Sequence, residues 1–120
     1  MSTVIVGGPK TGKTTRAIAG GGRIIHTDAF TSAGDFSAQS AQAAEHLGQP
    51  GEWTMEGVTA VRALRKWLQA HPEGKPCDRV VCLTNPRAPL TAGQQSLAKG
   101  CDTVWQSIAP ELRRRGVVIE

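Results

Sequence analysis

The chain has 120 residues, a length that fits one domain and leaves little room for a second. Hydrophobic residues are 39%, charged residues 20% and aromatics 4%, a mix that excludes a disordered chain, a collagen-like repeat and a coiled coil. A net charge of +4, from 14 Lys and Arg against 10 Asp and Glu, fits polyanionic partners such as nucleotides or nucleic acid, and equally fits a surface charged for solubility alone.

The chain reads as strands alternating with helices. Thr3–Val6 is a β-branched apolar run that opens into glycines, as a buried strand does. Lys13–Ala19 follows as a helix stopped by Gly20, Gly21 and Gly22. Arg23–Thr27 is a second strand, Asp28–Gly34 a loop, and Asp35–Leu47 an Ala- and Gln-rich helix closed by Gly48 and Pro50. Trp53–Glu56 is a short third strand. Val58–Ala70 is a helix with Val58, Val61, Leu64 and Leu68 along one face and Arg62, Arg65 and Lys66 away from it. Arg79–Thr84 is the fourth and most apolar strand. Thr91 starts the next helix with Gln94 as a capping box, and Leu97, Cys101, Val104 and Ile108 continue it. Pro110 predicts a kink or a restart. Arg113, Arg114 and Arg115 fall in the last turn, where cations meet the negative helix end. Gly116 caps it, and Val117–Ile119 is a fifth strand. This alternation predicts a single α/β domain over residues 1–120, with a mainly parallel sheet.

No apolar run approaches the ~18–20 residues of a membrane span, so no membrane association is expected. MSTVIVGGPK lacks a basic region ahead of a long apolar stretch, so no secretory signal is expected either. Cys77, Cys82 and Cys101 are an odd number with no CxxC pair. They point to a reducing, cytoplasmic setting and away from a disulfide frame or zinc knuckle.

The sharpest signal is Gly7-Gly8-Pro9-Lys10-Thr11-Gly12-Lys13-Thr14, followed by Thr15, which meets GxxxxGK[ST] at every fixed position. Composition alone gives that pattern in about 1% of such chains. The motif also follows a strand and opens a helix, as its mechanism requires. Glycines let the backbone approach phosphate oxygens with no Cβ in the way. Successive amides form an anion nest, and the helix adds its positive end. Lys13 then reaches the β- and γ-phosphates, and the Thr14 hydroxyl ligates Mg²⁺.

This segment resembles the Walker A loop of the P-loop NTPases, and the whole chain resembles a compact P-loop kinase of the nucleotide and polynucleotide kinase type. The resemblance implies a three-layer α/β/α fold with sheet order 2-3-1-4-5, and ATP and Mg²⁺ as cofactors. Asp28, at the carboxyl end of the second strand in HTDAF, is similar to the acidic residue that faces the acceptor hydroxyl in these kinases; a turn or helix cap is the alternative. Glu56, before Gly57, stands where a Walker B carboxylate belongs. The run ahead of it is weakly apolar, and Glu replaces the commoner Asp, so a surface glutamate at a strand end is the alternative. Arg87, in a loop stiffened by Pro86 and Pro89, is a candidate clamp on the transferring phosphate, with Lys99 as its partner; both also fit solvated basic residues.

Lys10 sits inside the loop, and Arg16 one turn into its helix. His26 lies on a strand read as buried, which makes it a satisfied core histidine rather than a catalyst; His46 and His71 read as surface groups. Trp53, Trp67 and Trp105 read as core or interface residues, with Trp53 alone near the rim, where it could stack on a base. The resemblance implies ATP-dependent phosphoryl transfer to a hydroxyl of a nucleotide or nucleic acid, such as a DNA 5′ end or a hydroxymethylated pyrimidine in DNA. A free nucleoside or nucleoside monophosphate is the small-substrate alternative. A P-loop ATPase or nucleotide-binding module without an acceptor is the other. A homodimer could supply a wall to an acceptor site that this length leaves shallow.

Overall fold

The structure is a computed structural model that describes residues 2–7, 23–27, 36–49, 51–57, 59–83, 89 and 91–120. Its elements run β1 (Ser2–Gly7), β2 (Arg23–His26), α1 (Phe36–Ala44), β3 (Trp53–Glu56), α2 (Ala60–Ala70), β4 (Arg79–Leu83), α3 (Ala92–Arg114) and β5 (Val118–Ile119). The five strands form one sheet in the order β2-β3-β1-β4-β5, and every neighbouring pair is parallel. The sheet order implied by the P-loop kinase resemblance is therefore the order found. The helix expected over Lys13–Ala19 lies outside the described residues.

Topology explains the layering. The connections β2 to β3, β3 to β4 and β4 to β5 all step the same way across the sheet. Parallel crossovers are right-handed, so helices on connections that step the same way share one face. The core agrees: Val4, Val6, Ile25, Met55 and Val80 meet Ala43 of α1, Leu64 and Trp67 of α2, and Val104, Ile108 and Leu112 of α3 in one cluster. Period-two alternation turns the intervening residues the other way, where Ile5 and Val81 form a smaller cluster with Ile24 and Leu83.

The helices show why these sequences fold as they do. Along α2, Ala60, Val61, Ala63, Leu64, Trp67 and Leu68 are buried, the stripe that helical spacing predicts. The helix begins after Thr59, whose hydroxyl donates to Gln39 Oε1 of α1 at 2.6 Å rather than capping its own first turn. Arg62 is not wholly solvated: it packs on Gly100 and donates to Cys101 Sγ of α3 at 3.9 Å. Thr91 and Gln94 form the expected capping box at the start of α3, at 3.2 and 3.0 Å. Beyond α1 the backbone tightens into i→i−3 bonds through Leu47.

Pro110 neither ends nor restarts α3, which runs as one helix from Ala92 to Arg114. Ile108 and Ala109 before it and Leu112 after it are all buried. Burying large side chains is worth about 1.5–3 kcal/mol each, which offsets the ~3 kcal/mol cost of an internal proline.

The last turn of α3 carries an acid-sensitive lock. Glu111 accepts from Arg114 and from Arg115 Nε at 2.8 Å, while the buried Arg115 side chain also reaches Gly74 O at 3.2 Å. The two guanidiniums hold the Glu111 carboxyl down to about 2 from its ordinary 4.5. A depressed carboxyl contributes stability that is present above its ordinary pKa and is lost as pH falls. Glu111→Gln is thus expected to flatten the fall in melting temperature between pH 4.5 and about 2. An unchanged acid limb counts against the lock.

Candidate functional site

A parallel sheet brings the carboxyl ends of its strands to one rim. Gly7 of β1, His26 of β2, Glu56 of β3 and Leu83 of β4 stand there. β1 is the central strand, with β3 on one side and β4 on the other. From β1 the chain steps outward to β2, whereas from β3 it crosses β1 to reach β4, so the strand order reverses at β1. Ligands in open α/β sheets sit outside the strand ends at such a reversal. Gly7, the first residue of the GGPKTGKT motif, ends β1 in register with Leu83. Gly8, Pro9, Lys10, Thr11, Gly12, Lys13, Thr14 and Thr15 lie outside the described residues, as do Asp28 and Arg87.

Glu56 is not a surface glutamate: it is 4% exposed. β3 is an interior strand, so Trp53, Thr54, Met55 and Glu56 are all buried despite their modest apolarity. Alternation sends Trp53 and Met55 toward the helices and Glu56 to the opposite face, in register with Ile5 on β1 and His26 on β2. His26 Nδ1 lies 2.5 Å from Glu56 Oε1. The Glu56 side chain is 6% exposed and the His26 side chain 44%.

His26 is therefore not a core histidine. β2 is the edge strand, so the ring closes over Glu56 and stays half in solvent. Both residues end their strands at equal register, three residues beyond Arg23 and Trp53 respectively. That equal spacing was the available signal, but it acquires meaning only once β2 and β3 are known to pair in parallel.

Next in the chain, Thr27 is fully buried and its Oγ1 has no hydrogen-bond partner among the described residues. It presses on Gly57, whose φ is +140°; a Cβ there would lie 1.7 Å from Thr27 Oγ1. Only glycine meets both the backbone conformation and the contact.

Other expected site residues fall elsewhere. Trp53 is not near the rim: it is the first residue of β3, 4% exposed, and in register with Ser2 and Arg23 at the amino ends of their strands. Its Nε1 donates to Gln49 O at 3.1 Å, and its burial leaves no face for a base. Lys99 is exposed on α3, seven residues beyond Ala92. Cys77, Cys82 and Cys101 form no disulfide. Burial pushes the Cys77 thiol up to about 12 and also raises Cys82, so neither is a ready thiolate.

Among the described residues no three His, Cys, Asp or Glu side chains gather as a metal centre. Mg²⁺ needs less, since one or two carboxylates suffice beside phosphates and water. Glu56 fits that requirement through Oε2, which has no hydrogen-bond partner among the described residues. No helix among the described residues is long and apolar enough to cross a membrane. Comparison with family models finds no match to the chain, and comparison with curated proteins finds none that is similar.

Proposed function

We propose that the chain is an ATP-dependent kinase of P-loop type that transfers the γ-phosphoryl group to a hydroxyl of a nucleotide or nucleic acid. One observation carries the reading. The GGPKTGKT motif begins at the carboxyl end of the central strand, where the strand order reverses, and a buried carboxylate ends the adjacent strand. A glycine-rich turn with an incidental GKT has no need of either neighbour.

In this reading Gly7 through Thr15 wrap the triphosphate with backbone amides, and Lys13 holds the β- and γ-phosphates. Thr14 and Glu56 Oε2 would hold Mg²⁺, which when bound draws charge from the phosphate oxygens. Arg87 offsets charge on the transferring group. Asp28 faces the acceptor and takes the proton its hydroxyl loses as the oxygen bonds to phosphorus and ADP departs. Three cysteines outside any disulfide suit a reducing, cytoplasmic setting, and the +4 charge suits an anionic acceptor.

The test is incubation with γ-labelled ATP and Mg²⁺ over a panel of DNA, RNA, nucleosides and nucleoside monophosphates. Label is expected on one acceptor. Label released only as free phosphate would instead identify an ATPase module. A polymer acceptor is also expected to show steep salt dependence.

A further inference from the structure

We infer that the groove between α2 and α3 binds an unpaired nucleic-acid strand. This surface lies on the helical layer rather than at the strand ends, so it stands apart from the kinase reading. α2 carries Arg62, Arg65 and Lys66 and no acidic residue. At spacings of three and four, these three share one face of the helix. Arg79, Arg114 and Arg115 each meet a carboxylate, whereas Arg62 and Arg65 meet none among the described residues. A cation with no counter-charge inside the protein is open to an anion from outside it.

The groove beside these arginines supplies shape. Its volume is about 300 Å³, with Arg65 of α2 on one wall, Ser107 of α3 on the other, and the buried side chains of Leu68 and Ile108 beneath. Glu111 closes the end away from the rim, its charge already matched by Arg114 and Arg115. Toward the rim, Arg62 leans on Gly100 of α3, where a Cβ would stand 3.2 Å from its Nη2. The bare glycine thus lets the guanidinium settle across both helices.

Cations beside an apolar floor match a chain that alternates phosphates with flat bases. An unpaired strand lays a sugar or base on Leu68 and Ile108 and its phosphates against Arg62 and Arg65. A duplex keeps its bases stacked inside and offers the floor nothing. An acidic peptide brings charge but no planar apolar group at each step.

Fluorescence anisotropy of the full chain, without ATP, reads the binding of oligothymidylate, of a DNA duplex of equal length and of polyglutamate. Oligothymidylate is expected to bind tightest, with affinity falling as salt rises. Arg65→Ala, Ser107→Glu and Arg113→Ala each lower the net charge by one, but Arg113 is exposed and does not line the groove. Each lost phosphate contact makes the fall of log K with log salt shallower by about 0.7, which at about 0.1 M salt is about a five-fold loss. Arg65→Ala is expected to show both changes, Ser107→Glu the loss of affinity, and Arg113→Ala neither. Arg65→Lys keeps the charge and is expected to keep the slope. Melting curves beside the titrations check that each variant folds. Equal loss in R65A, S107E and R113A would mean that net charge alone attracts the strand, and overturns the inference. So does R65A binding like the wild type, or a wild type that ignores oligothymidylate at low salt. Duplex or polyglutamate bound as tightly as oligothymidylate overturns it as well. None of these results bears on phosphoryl transfer, and a chain that labels no acceptor leaves the groove as it stands.

Discussion

Lys13→Ala is expected to weaken Mg·ATP binding, and with it turnover, by about 10²–10⁴-fold. The ammonium would make charge-assisted hydrogen bonds to two phosphates, each worth about 1.5–3 kcal/mol, and every 1.4 kcal/mol is about ten-fold. No other residue of the motif carries a positive charge except Lys10, which stands three positions earlier and is not a fixed position of the pattern. Calorimetric titration with Mg·ATP measures the loss directly, and a melting curve beside it separates lost binding from lost folding. Equal ATP affinity in the variant would remove the phosphate cradle, and every role assigned around it.

Gly57→Ala should cost about 3 kcal/mol of stability, a drop of about 10 °C in melting temperature for a domain of this size. Two effects combine. The backbone at +140° is one that residues with a Cβ rarely adopt, and the new methyl would meet Thr27 Oγ1 at 1.7 Å. Thr27 cannot swing clear, because it is wholly buried. Adding Thr27→Ala to the variant removes Oγ1 but leaves Cβ at 2.9 Å, so the double variant should regain only part of the loss. Thermal unfolding decides the matter: a single variant that melts with the wild type would mean that β2 and β3 are not locked at their carboxyl ends.

Much of the architecture was legible in the residues. The β-branched runs, the stops at Gly48 and Gly116 and the Thr91–Gln94 box each carry a local physical reason, and each gave an element close to where it stands. Sheet order was different in kind: strand sequences do not say which neighbours they choose, and the order came from resemblance to P-loop kinases. Glu56 was legible as a carboxylate at a strand end, but its burial was not. Burial follows from β3 lying between β2 and β1, a non-local fact that the Trp-Thr-Met run does not encode.

The same limit explains His26 and Trp53. Alternation assigns residues to two faces without saying which strand is at the edge, so a histidine in an apolar run was read as core when it is half exposed. Trp53 was placed at the wrong end because only the register with Ser2 and Arg23 shows which end of a four-residue strand faces the rim. The restart read at Pro110 does not occur because its penalty is local, whereas the burial of Ile108 and Leu112 that outweighs it is tertiary.

The central place of β1 also bears on how the protein is made. β1 precedes both of its hydrogen-bonding partners, Trp53–Glu56 and Arg79–Leu83. A ribosome therefore releases Val4, Ile5 and Val6 long before anything exists to pair with them. During that interval the nascent segment is an apolar strand with two open sides, a natural client for holding chaperones. Closure must wait for much of the polypeptide to emerge, and pairings so distant in sequence form slowly.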